Sequence, residues 1–263
     1  MGKAVLLVLL SLLFGAGGGA LRYFSDLSAQ DASLVPVDAN VLSVSLIVLS
    51  AFFAVLMAIL ILWFGPGGVK PPKHLTVKSG VFECFTGVLS GVALGASAYF
   101  KYTAAAREAV LSRLDIITCA ALAVGAAAVV AAGILLAVKG RGDSYLRLIP
   151  VAAICCFLIA VFKQWCTDPV ISHYVYRLLA VAFVLLSSYY HAGEAFGFMK
   201  PVMTLFFSSL GIYMSFIALA DDVGLGYRAF FLFGILYPIM VIIYQIRYLC
   251  AARRAIDDEL MGR

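Results

Sequence analysis

Residues 174–199 read YVYRLLAVAFVLLSSYYHAGEAFGFM. A helix rising ~1.5 Å per residue needs about 20 apolar residues to cross a hydrocarbon core of ~30 Å, and this stretch is long enough. It nevertheless carries Ser187, Ser188, Tyr189, Tyr190, His191 and Glu194 where a helix bathed in lipid would carry aliphatic residues. Residues three and four apart share a helix face, so Ser187, His191 and Glu194, with Tyr190 beside them, make one polar stripe. Counting back from Lys200, Glu194 stands roughly 9 Å and His191 roughly 13 Å along the axis. An ionisable group at such depth costs on the order of 2.5–3.5 kcal/mol, so the stripe is expected to face a neighbouring helix or a water-filled cavity.

The surroundings are those of a membrane protein. Of 263 residues, 64% are hydrophobic and only 13% charged, with a mean hydropathy of +1.05, which excludes one or two soluble domains. The apolar runs are continuous rather than alternating, so the fold class expected is all-α, a polytopic transmembrane helix bundle, and a β-barrel is excluded. About eight spans are expected, over residues 4–20, 41–64, 80–100, 116–138, 145–165, 174–199, 202–220 and 229–250, forming a single integral membrane domain across residues 1–263. No connection reaches the ~50 residues that a soluble domain needs. The start of the chain also fits a signal peptide, whose cleavage would leave seven helices and an external N-terminus. A retained first helix is the preferred reading, because Gly15–Ala20 lengthen the apolar run and Arg22 with Tyr23 makes an interfacial stop.

With eight spans and an internal N-terminus, twelve Lys and Arg fall on the inner faces and seven on the outer, so both termini are expected in the cytoplasm. Arg147 counts among the inner loop charges, and Arg22, Lys101 and Arg177 among the outer. The overall excess of basic residues is an orientation signal, not a nucleic-acid footprint. The localisation expected is therefore the cell membrane, with the lipid bilayer as the partner and a small polar solute or a proton as the candidate cargo.

Helix three places Gly87, Gly91 and Gly95 on one face, the small-residue stripe by which helices approach closely where lipid removes the hydrophobic drive. Glu83 lies one turn before Gly87 on the same stripe, and is expected to meet a packed partner or to reach toward Lys78. Pro238 is a candidate kink in the last helix. Asp221-Asp222 reads as a solvated helix stop.

Three readings of the helix-six stripe compete. His191 and Glu194 serve as hydrogen-bonded glue to Thr204, Ser208 or Glu83; or they line a cavity for a polar solute or relay protons, since a carboxylate beside an imidazole exchanges charge near neutral pH. A metal or haem site is the third and weakest. His173 and His191, roughly 27 Å apart on one helix, cannot both ligate one haem. The six cysteines show no CxxC or Cys/His spacing for zinc and imply no disulfide framework. The chain has no HExxH, GxSxG or Walker A sequence, so no catalytic residue, metal or cofactor is assigned and an enzyme is not expected. A retinal protein is disfavoured, as neither of the last two spans has an interior lysine.

Ala20-Leu21-Arg22 followed by a short polar loop and Leu42 to Leu49, the stretch Tyr190 to Gly197 ending Ala195-Phe196-Gly197, and Ala218-Leu219-Ala220-Asp221 before the last helix together give a resemblance. In these residues the chain resembles an uncharacterised bacterial multi-pass membrane protein family. The resemblance spans most of the chain and implies no activity. The leading expectation from the residues is a small-solute or ion transporter in which helices three, six and seven surround a substrate-binding site made of His191, Glu194, Glu83, Tyr190 and Ser187. The alternative is a non-transporting membrane scaffold or sensor subunit in which these residues only pack.

Overall fold

A computed structural model describes residues 2–30, 39–64, 81–107, 112–139, 144–165 and 174–261. Among them are eight helices: α1 (Gly2–Gln30), α2 (Ala39–Phe64), α3 (Val81–Arg107), α4 (Arg113–Lys139), α5 (Ser144–Trp165), α6 (Val175–Ala195), α7 (Pro201–Ala220) and α8 (Leu225–Met261). Each is long and apolar enough to cross a membrane, and the chain is a multi-pass helical membrane protein.

The helices run longer or shorter than the apolar runs alone indicate, for local reasons. α1 continues past residue 20 to Gln30, so that half of the first polar connection is helical. α4 begins at Arg113 because Ser112 and Asp115 form a capping box: Ser112 N and Oγ donate to Asp115 Oδ2 at 3.3 and 2.6 Å, and Asp115 N donates to Ser112 Oγ at 3.2 Å. α6 stops at Ala195 rather than 199, because Gly197 takes a left-handed conformation (φ 84°) that turns the chain, and Phe198 N donates to Gly193 O at 2.9 Å. α7 then starts with Pro201 in its first turn, where a missing N–H is harmless. α8 passes through Pro238 as one helix from Leu225 to Met261. The basic turn at residues 65–80, with Lys78, and His173 lie outside the described residues.

Packing defines a ring. α3, α4, α5, α6, α7 and α8 each lie against the next, and α8 closes on α3, while α1 packs along the outside of α7 with α2 beside it. α8 is the axis, with 78% of its span buried against 22% for α2 at the periphery. Successive helices alternate in direction, so both termini lie at one end of the bundle. The start of α1 and the end of α8 define the terminal end; the opposite end holds the last turn of α1 and the first turn of α2.

Candidate functional site

The polar stripe of α6 faces inward. Ser187 and Ser208 of α7 share a hydrogen bond of 2.7 Å, which ties the upper part of the stripe to α7. One turn on, His191 is 3% exposed and Ser188 and Ala192 beside it are also buried. Glu194 Oε2 lies 3.5 Å from His191 Nδ1, while Thr204 Oγ1 of α7 donates to Glu194 Oε1 at 3.4 Å. At that distance the two form an ion pair only when the imidazole is protonated, and His191 Nδ1 makes no hydrogen bond. The imidazole ring is held edge-on by Tyr237 and Tyr244 of α8, with ring centres 6.3 and 5.6 Å away.

Beyond the imidazole is a cavity of about 20 Å3, bounded by His191, by Gly133 of α4, Arg147 and Pro150 of α5, and Tyr237 and Met240 of α8. A void of ~10–15 Å3 or more on this measure admits one water. Arg147 is buried, and its guanidinium lies 5.1 Å from the centre of the Tyr244 ring and donates from Nη2 to Tyr244 Oη at 3.4 Å. Among the described residues no carboxylate comes within ion-pair distance of it. Among the described residues, the centre of the terminal half therefore holds a guanidinium without a paired carboxylate, a carboxylate held by one hydroxyl, and an imidazole whose Nδ1 is near that carboxylate but makes no hydrogen bond. Such groups can hold a water or small ion against Arg147 and pass a proton between Glu194 and His191.

Of the five residues read from sequence as one site, only His191 lines this cavity, and Glu194 stands behind it, 3.5 Å from His191 Nδ1. Glu83 is 1% exposed and pairs with Arg247 of α8, whose Nη1 donates to Glu83 Oε1 and Oε2 at 2.7 and 2.6 Å. Its stripe does face packed partners, α4 at Gly91 and Gly95 and both α4 and α8 at Gly87, while Glu83 itself is paired to α8 and not to α6. Tyr190 turns the other way, its ring parallel to Phe207 with centres 5.5 Å apart. Ser187 is used up by Ser208. The cavity lies among α4, α5, α6 and α8, not α3, α6 and α7, because the ring order sets α5 and α8 on either side of the inward face of α6.

Arg147, Tyr237 and Tyr244 escaped the sequence reading. Arg147 stands within the span expected from 145 to 165, three residues before Pro150, so its depth was visible; its direction was not. Tyrosines in an apolar helix gave no sign that they faced a histidine 46 or more residues earlier in the chain.

Charges are also buried at the opposite end. Arg22 Nε donates to Asp221 Oδ1 at 2.7 Å and Arg177 Nε to Asp221 Oδ2 at 2.5 Å, joining α1, α6 and α7 through one carboxylate that is 1% exposed. Asp221-Asp222 is thus not a solvated pair: Asp221 is a buried junction, and only Asp222 is exposed, 3.2 Å from Arg228. Nor is Arg22 simply an interfacial stop. Among the described residues no three of His, Cys, Asp and Glu gather as metal ligands.

Compared with known protein families, with curated proteins and with solved structures, the chain matches none of them. What the fold and the buried site define is a class, the polytopic helical membrane proteins with ionisable groups in the bundle interior.

Proposed function

We propose that this chain is a small-solute or ion transporter of the bacterial cell membrane, with its central site at Arg147, His191 and Glu194. The observation that carries the reading is the convergence, on one water-sized cavity in the bundle interior, of a guanidinium with no carboxylate partner among the described residues and an imidazole whose Nδ1 makes no hydrogen bond. Buried groups used only for packing are normally hydrogen-bonded to capacity, and each orphan left in hydrocarbon is costly. Proton exchange at His191 and Glu194 would couple the cargo to the pH difference across the membrane.

One observation favours the scaffold reading. The cavity has room for about one water, and the buried charges Glu83 with Arg247 and Asp221 with Arg22 and Arg177 are matched inside the bundle. A transporter in an occluded conformation accommodates that size; a scaffold requires it at all times. Proteoliposomes carrying an internal pH-sensitive dye separate the two. With an imposed pH gradient, the chain should carry protons faster than empty vesicles, and Glu194→Gln should remove the difference while retaining the elution profile of the folded protein. Flux equal to that of empty vesicles, or flux unchanged in Glu194→Gln, would overturn the proposal.

A further inference from the structure

At the end of the bundle opposite the termini, the last turns of α3 and α5 and the first turns of α4 and α8 enclose an open vestibule of about 810 Å3. Its floor is Lys101. The ammonium lies 4.8 Å from the centre of the Phe157 ring and 4.4 Å from that of Tyr227, and donates to Tyr227 Oη at 3.2 Å. Tyr227 in turn donates to Gln164 Oε1. That hydroxyl proton is therefore committed, and it is the Tyr227 lone pair that Lys101 uses.

The lysine is built in rather than draped over the surface. Gly226 lets α8 press against it so closely that a Cβ there would stand 2.5 Å from Lys101 Cγ and 3.0 Å from its backbone nitrogen, and Ser97 Oγ holds the Gly226 carbonyl at 2.7 Å. An ammonium has three donors, and the protein takes only one of them. Among the described residues no carboxylate lies within ion-pair distance of Lys101, and Arg107 also lines the vestibule with no such partner. Asp115 is the one described carboxylate on the wall, and it is engaged in the Ser112 cap. Lys163, Thr103 and Gln164 add polar groups to the wall, and Phe100, Leu114 and Ala160 supply apolar surface.

We infer that the vestibule is a binding site for a small organic carboxylate whose head sits on the two remaining donors of Lys101 and whose apolar body lies along Phe100, Leu114 and Ala160. Pockets of ~300–1,000 Å3 with apolar walls and a few fixed polar groups are the usual form of small-molecule sites. With no carboxylate within ion-pair distance of Lys101 among the described residues, and with Lys101, Arg107 and Lys163 on the wall against the single described carboxylate Asp115, an arriving anion is stabilised there. The site deepens the transport reading, on which its role as an entrance rests, because a run of aromatic rings leads from it to the inner cavity. Phe157 stacks on Phe230 at 4.0 Å, Phe230 meets Phe233 at 5.7 Å, and Phe233 meets Tyr237 at 5.2 Å, so packed aromatic side chains stand between the two compartments.

Trp165, whose ring centre is 5.1 Å from that of Tyr227, reports on the vestibule, and Trp63→Phe makes it the only tryptophan of the two in the chain. In detergent, titrating this variant with butyrate should give a saturable change in emission, with none from butyramide and none from chloride at equal concentration. Lys101→Met should weaken butyrate binding on the order of tenfold or more, Lys101→Arg should retain it, and Glu194→Gln should leave it unchanged. No saturable response, an equal response to butyramide or chloride, or undiminished binding in Lys101→Met would each overturn the inference. Lys101→Arg keeps the charge should Lys101→Met fail to fold, and its failure to bind would count the same way. Proton flux without butyrate binding sinks this site alone; butyrate binding without flux sinks the transport reading alone.

Discussion

Asp221 carries two arginines on one carboxylate, and its neighbour Asp222 carries one at the surface. Removing a buried partner leaves charge uncompensated in a low-dielectric interior, at a cost of about 3–5 kcal/mol, whereas exposed pairs contribute little. Asp221→Asn should therefore lower the melting temperature of the purified protein sharply and Asp222→Asn should leave it where it was; equal behaviour of the two would show that Asp221 is hydrated. Glu83→Gln tests the other buried pair by the same measurement, with Arg247 stranded beside α3 and a marked loss of thermal stability expected. At this scale the sequence exposes which residues must be buried or matched, as with His191, Glu194 and Glu83, but not who matches them. Arg22 and Asp221 are 199 positions apart, and Glu83 and Arg247 are 164 apart, distances over which no helical periodicity speaks. Arg147 escaped because a cation near a span boundary looks the same whether it points to head groups or inward.

Helix contacts turn on a few small residues. The stripe Gly87, Gly91, Gly95 was visible by its spacing, yet the three positions differ in what a methyl group would meet. At Gly91 a Cβ would stand 2.5 Å from Val130 Cγ2 and 3.0 Å from the Ala126 carbonyl oxygen, while at Gly95 the nearest atom is Ala126 Cβ at 3.6 Å, an ordinary contact. Gly91→Ala should thus force α3 and α4 apart at about 1–3 kcal/mol and lower the melting temperature, while Gly95→Ala should be neutral or mildly stabilising through helix propensity. A neutral Gly91→Ala would mean that α3 and α4 stand farther apart than described. Helix ends were less legible than helix cores, because they depend on single residues. Ser112 with Asp115 starts α4, and Gly197 stops α6 four residues before the apolar pattern runs out. Apolar runs record what lies in lipid, and a helix such as α1 or α8 continues beyond it.

For the whole molecule, composition and run length were enough to give eight membrane-spanning helices, since hydrocarbon leaves a backbone few alternatives. They gave no ring order, so the expected site drew on α3 and α7 where the cavity draws on α4, α5 and α8. Burial also refines the charge count. Arg22, Lys101 and Arg177 at one end and Arg147 and Arg247 at the other are held by the bundle, which leaves ten against four in the connections and tails and strengthens the expectation of cytoplasmic termini. The scaffold and the transporter part company over one property, whether water from the face carrying the termini ever reaches the space beside His191. Ala132 lines that cavity, whereas Ala127 on the same helix is exposed on the outside of the bundle. In a cysteine-free background, Ala132→Cys in membranes should react with a small, charged, membrane-impermeant thiol reagent added at the face carrying the termini, faster than Ala127→Cys and more slowly once Arg147→Trp fills the cavity. Ala132→Cys as inert as Ala127→Cys would describe a sealed bundle and contradict a transport pathway through His191.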